Sequence, residues 1–183
     1  MASSAKHARA ARSSAALEKA LFRLLETKHF EEISARDICA EAGVHYATFF
    51  RHHAGKETLL DGIAAEAIRT VVDLAPPYPP ETDSGLGLAA LCRHIEKHRD
   101  FWRILLNGGA NAYTRRAWLR RTRAVLGEKA GATNSLPGDL AASCAAGAVI
   151  EALSWWLAQP ADAYEAQDFA PILERLCAPV LKP

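Results

Sequence analysis

Between His45 and His52 the chain places His45, Tyr46, Thr48, Arg51 and His52, all able to donate hydrogen bonds. On the outer side of one short helix, such groups suit phosphate oxygens and the base edges of duplex DNA. Two helices packed in an ordinary bundle would also show polar residues to water, so residue type alone leaves both readings open. Three other groupings could carry chemistry. His94 and His98 are four apart and share a helix face that could chelate a metal, but the order His-Ile-Glu-Lys-His misplaces the glutamate of a zincin helix. No further ligands are evident, and no metal is expected. Arg115, Arg116, Arg120, Arg121 and Arg123 lie in a stretch without an acid between Asp100 and Glu128. They form either a solvated face or one with a guanidinium turned inward to hold an anionic headgroup. Gly85 to Ala90 has the form GxGxxA, but it follows a proline-rich loop, where a dinucleotide fingerprint needs a strand. With no phosphate loop and no nucleophile motif, the chain is read as no enzyme, and no cofactor is expected.

The elements that must position the 45–52 group are legible. Ser34 can cap a helix N-terminus, and Asp37, three residues on, completes a capping box and suits the positive helix end. Ile38 and Ala42 give that helix a buried side, Gly43 ends it, and Val44 turns back to the core. His45 to His53 forms a second helix, with Ala47 and Phe50 at inward spacing. Helix, glycine turn, helix is the sequence form of a helix-turn-helix.

The rest of the chain supplies a frame. Residues 1–12 hold Lys6, His7, Arg9 and Arg12 in an Ala/Ser-rich context without an acid, and read as a basic flexible arm or a solvated tail. Leu17, Leu21, Leu24 and Leu25 mark the first helix over 13–29. A helix from Lys56 carries Leu59, Leu60, Ile63, Ile68 and Val71 on one side and links two parts of the molecule. Four prolines in Pro76–Pro80 stop it. One helix or two follow over 88–106, then Asn107–Asn111 breaks the chain and a helix resumes over 113–128. Residues 127–138 read as a loop. The run 139–158 is apolar nearly all round, so it needs burial on more than one side. A last helix from about Tyr164 or Asp168 ends near Leu181, with Phe169, Ile172, Leu173, Leu176 and Cys177 at helical spacing. These patterns make an all-α chain of about nine helices, divided as an arm (1–12), a helix-turn-helix domain (13–58) and a helical domain (59–183).

Composition adds boundaries. Half of the 183 residues are apolar and the net charge is +1. Residues 93–123 come to +7, and five of the seven histidines lie in the first 58 residues, so that part gains positive charge on mild acidification. Cys39, Cys92, Cys144 and Cys177 are far apart with no CxxC pair, as reduced thiols of a cytoplasmic protein would be. No signal peptide is visible, and no apolar run reaches the ~20 residues of a membrane span.

The residues Ser34-Ala35-Arg36-Asp37-Ile38, Ala42-Gly43-Val44, Ala47-Thr48-Phe49-Phe50-Arg51-His52 and Lys56-Glu57-Thr58-Leu59-Leu60 together resemble the DNA-binding domain of TetR/AcrR-type bacterial transcriptional regulators. The match covers about residues 13–62. Two positions depart: the family usually has tyrosine at the place of Phe50, whose hydroxyl commonly meets a phosphate, and phenylalanine at the place of His53. The resemblance implies a homodimer on a palindromic operator, with two recognition helices about one DNA turn apart or a multiple of it. It implies base-edge contacts by His45, Tyr46, Ala47 and Thr48. Backbone contacts would come from Thr48, Phe49, His52 and Lys56, with Ser34 and Arg36 from the preceding helix, while Phe50 packs.

The resemblance also implies that the last two helices form a four-helix dimer bundle and that the C-terminal part senses a small molecule. Trp102, Leu105, Leu106, Trp118 and Trp155 are large and apolar enough to line such a site, with Tyr113 or an arginine as polar handle. The function expected is a repressor released from its operator by an effector. The alternative is a ligand-independent helix-turn-helix or adaptor protein acting through a protein partner. No membrane partner is expected.

Overall fold

The computed structural model describes residues 2–74, 88–126 and 137–181. Among these it is all-α, with nine α-helices, one 3-10 turn and no strand. The helices are α1 (Ala2–Leu25), α2 (Ala35–Ala42), α3 (Tyr46–His52), α4 (Lys56–Leu74), α5 (Ala89–Lys97), α6 (Arg99–Asn107), α7 (Asn111–Leu126), α8 (Gly138–Ala158) and α9 (Ala166–Leu181), with the 3-10 turn at Phe30–Glu32. The proline-rich stop at Pro76–Pro80, the first three residues of the GxGxxA run and residues 127–136 of the expected loop lie outside the described residues.

One boundary differs from the sequence reading. Residues 2–12, expected as a flexible arm, continue α1 without a break. Alanine is the best helix former and lysine and arginine are close behind, so this segment carries helix propensity without any apolar stripe to announce it. The stripe begins only at Leu17 and runs through Ala20, Leu21 and Leu25, all buried. The 88–106 stretch is two helices, broken at His98, whose φ of −119° and ψ of 37° are not helical.

Helices α1 to α3 share a small core of Leu17, Leu21, Ile33, Ile38 and Phe49, closed below by Leu59 and Leu60 of α4. In the second part α8 is the central member, packed by α6, α7 and α9. Its buried face holds Ala141, Ala142, Ala145 and Ala146 and then Ile150, Leu153, Trp156 and Leu157, so the neighbouring helices approach closely at one end and interlock with large side chains at the other. Trp156 stacks on Phe169 of α9 at 4.5 Å between ring centroids, and its indole N–H donates to the Tyr164 carbonyl at 2.9 Å. The sequence reading found no run as long as a membrane span, but Asp139–Ala158 reaches that length with a mean hydropathy of 1.5. Glu151 in its middle pairs with Arg115 of α7.

Helices α5 and α9 cap each other. The Glu174 carboxylate accepts from the Leu88 amide at 3.1 Å, and the Glu96 carboxylate accepts from the Ala166 amide at 2.8 Å. Each carboxylate thus satisfies a free N–H at the positive end of the other helix. Between these helices burial pushes the Cys92 thiol up to about 12 and the Cys177 thiol up to about 11. Such thiols stay protonated at neutral pH and are poor nucleophiles.

Besides the packing of α4 on α5 and α7, the two parts are tied by a splice of backbone hydrogen bonds at Gly109. The Gly109 amide donates to the Leu25 carbonyl at 3.3 Å, and the Phe30 amide donates to the Gly109 carbonyl at 3.1 Å. Around it Phe22 meets Phe101 at 5.0 Å and Phe30 meets Tyr113 at 5.8 Å between ring centroids.

Candidate nucleic-acid interface

The motif is built as its caps dictate. The Asp37 amide donates to Ser34 Oγ at 3.2 Å and the Ser34 amide donates to Asp37 Oδ2 at 2.8 Å, a complete capping box. The hydrogen bonds from Ser34 hold the Asp37 carboxyl below its ordinary range. Gly43 closes α2 at φ 63° and ψ 30°, a left-handed conformation that glycine adopts without a Cβ penalty. His45, in extended conformation, then starts α3.

That start sets which side of α3 faces the core. Phe49 is fully buried, with His53 packed against it at 5.7 Å. Tyr46, Ala47, Phe50 and Arg51 form the outward stripe. Phe49 is therefore corrected from a backbone-contact candidate to a core residue, and Ala47 and Phe50 from inward to outward. A seven-residue helix has only two turns, too few for its periodicity to choose between adjacent faces. The exposed residues Ser34, Arg36, His45, Tyr46 and Ala47 lie on the presenting side with half-buried Thr48 and His52. The Arg36 guanidinium sits over the Tyr46 ring at 5.9 Å, and Arg51 donates to Thr48 Oγ1 at 2.8 Å. A cleft of about 590 Å³ between α1 and α3 is lined by Ala10, Ser13, Gly43, Val44, His45, Thr48, Arg51 and His52. Arg51, one of the five donors singled out in the sequence, carries five N–H groups, of which Thr48 takes one, and it is exposed on this side.

Lys56 is placed differently from expectation. Its ammonium donates to the carbonyls of Phe30 at 2.8 Å, Glu31 at 3.2 Å and Ile33 at 2.7 Å, and it lies 4.7 Å from the Phe30 ring centroid. All three N–H donors are turned into the protein rather than to a phosphate. The Phe30 carbonyl also accepts from the Ile33 amide that closes the 3-10 turn, at 3.2 Å, and nothing in the sequence advertises the three carbonyls as a lysine site.

His53 stands where an apolar ring would fit, and its buried Nε2 has no hydrogen-bond partner. Burial first, then the neighbouring His52, lowers its affinity for a proton. The unfolded chain therefore binds that proton more readily, so this group's contribution to stability is full above its ordinary value near 6.5 and falls away as pH drops through the lowered folded value. His53→Phe is expected to unfold at higher temperature, by about 1 kcal/mol of stability, and to lose part of the acid sensitivity below pH 6.5. Thermal melts of both proteins at pH 7.5 and 5.5 check this, and an unchanged gap between the two pH values would contradict it.

In the second part, four of the six ligand-lining candidates fall in one core. Trp102, Leu105 and Leu106 of α6 and Trp118 of α7 are buried, and the two indoles lie 5.8 Å apart. Tyr113 instead packs at the splice against Phe30. Trp155 is corrected: it is 47% exposed on the outer face of α8, beside Tyr164 and Phe169. The buried face of α8 is taken by Leu153, Trp156 and Leu157, which leaves Trp155 on the other side. Sequence reasoning missed Thr114, one turn before Trp118. It is fully buried, and both its Oγ1 and the Trp102 Nε1 lack a hydrogen-bond partner. Of the arginine cluster, Arg115 pairs with Glu151 and Arg123 donates to Ser143 Oγ at 2.8 Å, both on α8. Arg116, Arg120 and Arg121 face water. His94 and His98 lie 4.8 Å apart, and among the described residues no group of three or more potential metal ligands exists.

A capping box, a left-handed glycine and a short helix that presents Tyr46, Ala47, Phe50 and Arg51 outward make a helix-turn-helix, here joined by α4 to a helical second part. Residues 17–63, which hold the helix-turn-helix, match the family model of bacterial regulatory proteins, tetR family. The whole chain has the fold of these regulators. It is similar to a TetR transcriptional regulator from Streptococcus agalactiae 2603V at 20% identity, with a TM-score of 0.65 over 98% of this chain and 99% of that one. It is also similar to the fatty acid degradation regulator FadR from Bacillus halodurans at 14% identity, with a TM-score of 0.58 over 93% and 95%. No curated protein sequence matches the chain.

Proposed function

We propose that this protein is a cytoplasmic, dimeric transcriptional repressor that leaves a palindromic operator when a small molecule binds its second part. The observation that carries the reading is the outward face of α3, which presents Tyr46, Arg51 and the half-buried Thr48 and His52 on a scaffold of tetR-family type. Ser34 and Arg36 flank it from α2, as backbone contacts would require. The subunit face is supported by Leu140, Trp155 and Leu176, exposed on α8 and α9, where Trp155 and Leu176 line an open apolar groove of about 360 Å³.

The effector reading is supported by the Trp102–Trp118 core. Two orphaned buried polar atoms, an indole N–H and a threonine hydroxyl, cost stability until something bonds them. An apolar molecule with a carbonyl or hydroxyl would do so. Arg115 is already paired with Glu151, so the molecule need not be an anion. Its binding would bias the core, and through the Gly109 splice the relative placement of the two recognition helices.

Selection of duplexes from a random pool tests the DNA reading. An inverted repeat whose half-site centres lie a whole number of DNA turns apart is expected. A direct repeat, a single half-site or no enrichment would contradict it.

A further inference from the structure

The five large apolar side chains exposed among the described residues fall on two faces. Leu140, Trp155 and Leu176 lie on α8 and α9, where a subunit face is proposed. Tyr46 and Phe50, each 47% exposed, lie on α3. Leaving two aromatic rings in water gains the fold nothing, since burial of such rings is what stabilises a core.

The two rings are held, not loose. Phe50 meets Tyr46 edge-on at 4.9 Å and the buried Phe49 at 5.2 Å between centroids. Ala47 lies beside them, so the centre of the outward stripe is apolar over Tyr46, Ala47 and Phe50. Cations stand at both edges, with Arg36 over the Tyr46 ring and Arg51 one residue after Phe50. A polyanion would thus be held at the rims while the apolar centre meets whatever lies between the backbones.

Phe50 has no polar atom and can bond neither a phosphate nor a base edge. In the major groove the apolar group on offer is the C5 methyl of thymine. We infer that Phe50, braced by Tyr46 and Phe49, reads a thymine methyl in each half-site, so that the operator carries a thymine there for its methyl group rather than for its hydrogen-bonding edge. This rests on the duplex-binding reading above.

Deoxyuridine tests it, because it keeps the hydrogen-bonding edge of thymine and lacks the methyl. The duplex selected by the protein is resynthesised with deoxyuridine at each half-site thymine in turn, and affinity is read by fluorescence anisotropy. At one position, loss of the methyl is expected to weaken binding about fourfold per half-site and roughly fifteenfold when both half-sites are changed. Phe50→Ala, checked by circular dichroism to keep its helix content, is expected to bind the thymine and deoxyuridine duplexes alike, while Phe50→Leu retains a preference for thymine. Equal affinity of the unmutated protein for all these duplexes would overturn the inference and leave specific duplex binding intact. A deoxyuridine effect that persists in Phe50→Ala would overturn the assignment to Phe50. Failure to bind any selected duplex would overturn both this inference and the regulator reading.

Discussion

Gly109→Ala is expected to destabilise the protein by about 3 kcal/mol, a fall of roughly 6–12 °C in midpoint for a chain of this length. The reason is space. A Cβ on Gly109 would lie 2.1 Å from the Lys28 carbonyl oxygen and 3.1 Å from the His29 Cα. Both are backbone atoms, so no side-chain rotation relieves the clash. The chain would have to part where the Gly109 amide bonds Leu25 and its carbonyl accepts from Phe30. This splice joins the end of α1 to the α6–α7 turn, so the DNA-binding domain should loosen from the second part. Gly62→Ala is the control: it lies within α4 with open space around it, and should be neutral or up to about 1 kcal/mol stabilising. Denaturant melts of both variants measure this. A Gly109→Ala protein as stable as the unmutated one would show that the splice can open at no cost.

Lys56→Met is expected to cost about 3 kcal/mol. Methionine keeps much of the apolar stem but removes three charge-assisted hydrogen bonds, to Phe30, Glu31 and Ile33. Two of those bonds are part-buried: the Ile33 carbonyl loses its partner with incomplete access to water, and the Phe30 carbonyl is left with the Ile33 amide. The cation over the Phe30 ring is lost as well. A phosphate-binding lysine behaves differently: its loss leaves stability nearly unchanged and lowers the salt slope of DNA binding by about one. Measuring both the melting midpoint and the salt slope separates the roles. Large destabilisation with an unchanged slope is expected, and the reverse would return Lys56 to the DNA.

What the sequence made legible follows from where each signal resides. Ser34, Asp37 and Gly43 act on neighbours three or four residues away, so their capping roles can be read directly. The long apolar stripe of α4 spans enough turns to set its buried face, whereas α8 is apolar nearly all round and α9 carries Leu176 beside its stripe, so neither Trp155 nor Leu176 could be told from a core residue by pattern. The side chains of α3 span too few turns, and the choice between Phe49 and Phe50 as core residue was settled by where His45 starts the helix. Lys56 answers to backbone carbonyls some twenty-five residues away, which no side-chain pattern encodes. Gly109 reads only as a helix breaker until its contact with Lys28 is known. The orphaned Trp102 Nε1 and Thr114 Oγ1 are likewise products of packing: indole and hydroxyl groups find partners in most folds, and only the tertiary arrangement shows that these do not. The continuation of α1 through residues 2–12 was hidden for the opposite reason, because propensity without periodicity looks like a tail.

The claim that α3 reads DNA is tested most directly by titrating the protein into a labelled selected duplex at several salt concentrations, with and without excess random duplex. Binding that falls linearly in log K against log salt, and that survives competitor by a factor of about 10³ or more, is the expected result. Equal affinity for selected and random duplex, or no binding at low salt, would contradict it.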